Sequence, residues 1–178
     1  LTRAFRELGH AADFRATGQT GIIIAGGGVP MDAVVSDFIA GAAEMLSPDA
    51  DPDHWDVIEG QGSLVHPTFA AVSLGLLHGS QPDVMVLCHQ HGREFIFGLE
   101  DNFPLPDLRS VIELNLIHAR RTNPQARCAG VSLNTAGLMA EEAEAAMEAV
   151  RQETGLPCAD PMRGGDRFDQ LTKACLTP

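Results

Sequence analysis

Apolar and polar positions along this chain alternate between two kinds of spacing. Strand-like runs, several of them continuously apolar as in strands buried on both faces, occur at residues 11–16, 54–59, 84–88, 128–134 and 156–159. Between them the spacing becomes helical. From Pro30 onward Met31, Val34, Val35, Phe38, Ile39, Ala42, Met45 and Leu46 fall on one stripe, with Pro30 suited to the first helical position and Asp32 to the positive first turn. Further helices are predicted over 68–77, from an Asp107 cap to about Arg121, over Met139, Ala143, Ala146, Met147 and Val150 up to Gly155, and over 166–176 after Gly164-Gly165. Leu1–Leu8 reads as the back half of a helix stopped by Gly9, so the sequence is expected to start inside an element. Residues 47–53 read as a loop, as does 95–106, rich in Phe, Gly and Pro.

Strands alternating with helices predict an α/β fold: a three-layer, mostly parallel sheet with helices on both faces, in a single domain over 1–178. Ligands in such folds collect at the carboxyl ends of the strands. Four strands end there in polar turns, TGQTG, EGQGS, CHQHGR and NTAG, so Gln19, Thr20, Glu59, Gln61, Ser63, His89, Arg93 and Asn134 are expected to face one crevice. Gly, Asn and Thr are also what ordinary turns favour for backbone reasons. Glu59 is harder to explain that way, because it directly follows a buried strand and an unpaired buried carboxylate is costly.

Gly26-Gly27-Gly28 before Pro30 could offer backbone amides to a phosphate, or simply form a turn. Neither G-x-x-x-x-G-K-[ST] nor G-x-G-x-x-G occurs. Asp37 is expected on the solvated side of its helix, whereas Asp32 is either a helix-start charge or a site residue beside the glycines. His89-Gln90-His91, placed in a loop after a strand, lacks a third ligand at useful spacing, so no metal is expected. His66 and His78 are each either a general base or polar surface, and Arg15, Arg93 and Arg163 are candidates for gripping a carboxylate or phosphate.

Composition narrows the function classes. A chain of 178 residues is long enough for one real core. No apolar run approaches the ~20 residues that cross a bilayer, and no leader pattern opens the sequence, so a soluble cytoplasmic protein is expected. Cys88, Cys128, Cys158 and Cys175 form no C-x-x-C pair and are expected to be buried reduced thiols. The formal charge of -12 argues against nucleic acid or an anionic membrane as partner, while leaving room for a small anion met by local arginines.

The segments ATGQTGIIIAGGGVPMDAVVSDFIAGAAE, WDVIEGQGSLVHPTFAAVSLGLLHGSQPDVMVLCH and GLPCADPMRGG resemble the DgcN-like family, which contains D-glutamate N-acetyltransferases. The resemblance spans nearly the whole chain. It implies a P-loop-NTPase-like sheet related in shape to dethiobiotin synthetase, whose strand-E-G-x-G-x-L pattern is similar to VIEGQGSL here. Family members carry a further N-terminal domain and a phosphate-loop-like strand and turn, so this sequence is expected to be the C-terminal domain without them.

The activity so implied moves an acetyl group from acetyl-CoA to the amine of D-glutamate, in D-glutamate catabolism, with a homo-oligomer expected. That chemistry needs a base, donors for an oxyanion, and cations for two carboxylates. Glu59 is the base on this reading, with His66 the alternative; Gln61 and Ser63 face the oxyanion, and Arg93, Arg163 and Asn134 hold the substrate. Thr17, Gly18, Gln19, Thr20, Gly27, Gly28 and Asp32 would take the CoA side. Two other classes stay open: nucleotide-dependent phosphoryl transfer or ligation, with Glu59 and Asp32 near magnesium, and a non-catalytic ligand-binding or assembly domain.

Overall fold

The computed structural model describes residues 1–99 and 103–177. Among them, the elements in chain order are α1 (Thr2–Glu7), β1 (Ala12–Arg15), α2 (Gln19–Ala25), α3 (Ile39–Glu44), β2 (Trp55–Ile58), α4 (Ala70–Ser80), β3 (Val84–Gln90), α5 (Leu108–Ala119), β4 (Arg127–Asn134), α6 (Ala140–Thr154), β5 (Cys158–Ala159) and α7 (Gly165–Leu176). The chain is α/β, and every pairing between these strands is parallel. It divides into two compact units, Leu1–Pro82 with Arg121–Asn123, and Asp83–Arg120 with Pro124–Pro178. The strands form two sheets, β1-β2 in the first unit and β3-β4-β5 in the second.

In the first unit, β1 and β2 pair from Ala12↔Trp55 to Arg15↔Ile58. Its core gathers Met31, Ile39, Ala43, Leu46 and Leu76, with Ile58 and Val72 packed against them. Helices α3 and α4 approach closely because α4 presents glycine twice at a four-residue interval: a methyl group on Gly75 would overlap Ile39, and one on Gly79 would overlap Ala40. Gly79→Ala is therefore expected to cost about 1–3 kcal/mol through overpacking. By contrast Gly41→Ala, which would meet nothing within 4 Å, should stabilise by about 1 kcal/mol through helix propensity. Urea unfolding of the two variants checks the opposite signs.

The long helix expected from Pro30 is not formed. The segment runs instead as two 3-10 turns, Met31–Ala33 and Ser36–Phe38, before α3, with Val34 and Val35 extended between them. Tertiary hydrogen bonds win over the helical stripe here: Val29 N donates to Ala16 O and Met31 N to Thr17 O, tying the segment to the end of β1. Consequently Val35, Phe38 and Met45 are exposed, while Met31, Ile39 and Leu46 are buried.

In the second unit, Leu108, Val131, Leu133, Met147, Val150 and Cys158 form the core between α5, α6 and the sheet. Asp107 caps α5 as expected, its side chain accepting from Ser110 N at 2.9 Å, and α6 ends on Gly155 at φ 73°, a left-handed position that glycine takes without strain. His89 and Gln90 lie inside β3 rather than in the loop after it. Burial pushes the thiols of Cys158 and Cys175 up to about 12 and about 11, so both are inert packing groups. Cys88 departs from the expectation: it is exposed, on the face of β3 that also carries exposed Gln90.

Candidate functional site

The four polar strand ends fall as two pairs, one in each unit. In the first, the turn after β1 meets the turn after β2. Glu59 Oε2 accepts from Thr17 N at 2.9 Å and Gly18 N at 3.0 Å, and its backbone oxygen accepts from the Thr17 hydroxyl at 2.8 Å. Gln61 Nε2 donates to the same hydroxyl at 2.8 Å, and Ser73 Oγ donates to Gln61 O at 2.7 Å. The carboxylate lies so close over Gly21 that any side chain there would overlap it. A charge after this half-buried strand is thus accounted for: the main-chain N–H groups of fully buried Thr17 and of Gly18 receive it.

This arrangement redistributes several expected roles. Two of the amides assigned to a pyrophosphate, those of Thr17 and Gly18, already serve Glu59, while Gln19 and Thr20 are exposed at the start of α2. Of the glycine triplet, Gly26 caps α2, and Gly28 sits against Ala16, where a methyl group would lie 2.5 Å from Ala16 O. Gly27 faces open space, and Asp32 is exposed in the first 3-10 turn. Ser63 Oγ accepts from Val65 N at 3.3 Å within its own turn. His66 Nδ1 accepts from Thr68 N at 3.1 Å and Phe69 N at 3.3 Å, with its ring 4.4 Å from that of Phe69. Nδ1 of His66 is thus engaged by two main-chain amides of its own turn. Arg15 is committed to Asp56 at 2.6 Å.

In the second unit the turns after β3 and β4 meet through His91 N, which donates to Asn134 O at 3.0 Å; Asn134 Oδ1 in turn accepts from Ala136 N at 2.9 Å. Beside this contact is a cavity of about 340 Å³. Leu108, Leu133 and Val150 contribute an apolar floor, and His89, Arg93 and Glu153 bring polar groups to it. Arg93 donates to Gln90 Oε1 at 2.7 Å and stacks 5.6 Å from the Phe97 ring centroid. Burial, reinforced by the charges of Arg93 and His91, lowers the pKa of His89 below the ordinary imidazole value, against an opposing pull from Glu153.

Arg163 is placed elsewhere. It donates to Thr135 Oγ1 at 2.7 Å, to Thr135 O at 3.3 Å and to Leu138 O at 2.7 Å. At the centre of that network is Asp160, which sequence reasoning overlooked: its Oδ2 accepts from Thr135 N at 3.0 Å and Thr135 Oγ1 at 2.5 Å, and its Oδ1 from Met162 N at 2.9 Å. Burial pushes its pKa up, but the bonds from Thr135 and Met162 and the charge of Arg163 outweigh that and hold it below the usual carboxylate value. The signal was available, since Asp160, like Glu59, is a carboxylate directly following a strand. Among the described residues, no three His, Cys, Asp or Glu side chains gather closely enough to hold a metal ion.

Residues 1–171 match the model of the DUF1611 family, described as a domain of unknown function (DUF1611_C), P-loop domain. The chain belongs to this family. It is 52% identical over 165 residues to a D-glutamate N-acetyltransferase of a Pseudoalteromonas species, covering 93% of this chain and 49% of that protein. A D-glutamate N-acetyltransferase of Tritonibacter scottomollicae is 48% identical over 157 residues, covering 88% and 47% respectively. The crystal structure of a DUF1611 family protein from Anabaena variabilis superposes with a TM-score of 0.89 at 38% identity, covering 98% of this chain and 50% of that one. The fold is therefore the P-loop-like α/β fold of DUF1611. This DUF1611 chain spans about half the length of the curated relatives it matches. Its sole lysine, Lys173, lies in the last turn of α7, so none of the strand-end turns in these residues carries the lysine of a phosphate-cradling loop. No helix among the described residues is long and apolar enough to cross a membrane.

Proposed function

We propose that this chain is part of an N-acetyltransferase that moves an acetyl group from acetyl-CoA to the amine of D-glutamate. The observation that carries the proposal is the pair of relatives bearing that activity in their names, 52% and 48% identical over most of this chain. Catabolism of D-glutamate in the cytoplasm, by a homo-oligomer, is the setting that accompanies it. Within the first unit, the geometry favours Glu59 as the residue that fixes the β1 and β2 turns rather than as the base, because both amide protons converge on one of its oxygens.

The test is direct. The intact protein, given acetyl-CoA and D-glutamate without ATP, is expected to release CoA thiol and form N-acetyl-D-glutamate. Silence in that assay, with ATP hydrolysis instead, would replace acetyl transfer by the phosphoryl-transfer reading suggested by the P-loop description of the family.

A further inference from the structure

The cavity at the carboxyl end of β3 contains the chemistry that an amino-acid acceptor needs. Its lining includes apolar Leu108, Leu133 and Val150 together with one arginine, Arg93, and two carboxylates, Glu153, whose Oε1 accepts from Leu108 N at 2.9 Å, and Asp107, which caps α5. His89 is half-buried in β3, paired in register with Leu133. It lines the same cavity as these charged and apolar groups.

We propose that this cavity binds the amino-dicarboxylate acceptor, with Arg93 pairing to a substrate carboxylate, Glu153 attracting the ammonium group and His89 acting as the general base. The inference rests on the acetyl-transfer reading and adds to it a substrate pocket and a base. The lowered pKa of His89 agrees with it, since an imidazole that is neutral near pH 7 can accept a proton. Besides burial, the charges acting on it are Arg93 and His91 from the turn after β3 and Glu153 from α6, while Asp107 at the start of α5 faces the same cavity.

The proton accounting closes. One ammonium proton passes to His89 and on to solvent, and the freed lone pair attacks the thioester carbonyl carbon. The C–N bond forms as the C–S bond breaks with its pair on sulfur. A second proton from nitrogen ends on the thiolate, giving CoA thiol and one net proton released. Arg93 and His91 hold down the imidazolium form and so favour return of the proton to solvent.

Steady-state kinetics of the intact protein test this. His89→Gln is expected to lower kcat/KM by about 10²–10³-fold with an unchanged circular-dichroism spectrum. Arg93→Ala is expected to raise KM for D-glutamate at least about tenfold, the loss of one charge-assisted hydrogen bond, while leaving KM for acetyl-CoA within about twofold. Because the His89 variant could fold poorly, the wild-type pH profile serves as an independent readout: protonated His89 is inactive, so kcat/KM should rise with pH through an apparent pKa below about 6.5. Active wild type with an unchanged rate in His89→Gln, or with no acid limb in that region, overturns the assignment of the base and leaves the function standing. Wild type that transfers no acetyl group to D-glutamate overturns the function, and this inference with it.

Discussion

Replacing Asp160 by alanine is expected to destabilise the protein by about 3–4 kcal/mol, the largest single-site loss foreseen here. The side chain is only 5% exposed, and three bonds converge on it from Thr135 N, Thr135 Oγ1 and Met162 N. Alanine would leave a main-chain N–H without its acceptor on fully buried Thr135, and would deprive Arg163 of a carboxylate 3.8 Å away. Asp160→Asn keeps the shape and one acceptor oxygen, so it should lose less than half as much.

The pH dependence follows from the direction of the shift. Because the native pKa of Asp160 lies below its unfolded value, the unfolded state binds more protons as the medium becomes acidic. The stabilisation is complete above about pH 4–5 and is lost as pH falls through the native pKa. Urea titrations from pH 7 to pH 3 should show a steeper decline for the natural chain than for Asp160→Asn. Parallel declines in the two proteins would show that this carboxylate contributes nothing to acid sensitivity.

Asp160 also marks where the sequence stopped being readable. The strands at 128–134 and the helix ending at Gly155 declare themselves through local periodicity, and the structure has both. β5 is only two residues long, so its apolar signal was too short to draw attention to the carboxylate after it. The stripe from Pro30 misled for the opposite reason. Its spacing is helical, but hydrogen bonds to Ala16 O and Thr17 O, far away in sequence, decide the backbone path. Site assignment met the same limit: Arg163 and His66 are the right residue types for ligand chemistry, and only coordinates reveal that main-chain groups already engage them. Conversely His89 was placed at a polar strand end, but its burial and its apolar surroundings were not visible in a post-strand H-x-H pattern.

The second large effect concerns Glu59 and Gly21 together. Glu59→Ala is expected to cost about 2–3 kcal/mol, because Thr17 N and Gly18 N lose their common acceptor. Glu59→Gln retains an acceptor oxygen and should cost under about 1 kcal/mol, with acetyl transfer within about tenfold of the natural rate if the residue only fixes the turns. A folded Glu59→Gln protein slowed by about 10²-fold or more would instead make Glu59 the base. The fixing role makes a further demand. Gly21 lies under the carboxylate, so Gly21→Ala alone must push Glu59 off its amides and should cost about 1–3 kcal/mol, even though alanine is the better helix former at this position in α2. Once Glu59 has been cut back to alanine, that overlap is gone, and the methyl group fills space the carboxylate has vacated. The double variant should then be more stable than the sum of the single losses by about 1–3 kcal/mol, a coupling that denaturant unfolding of the four proteins measures directly. Simple additivity would mean that Glu59 does not hold these turns from the position over Gly21.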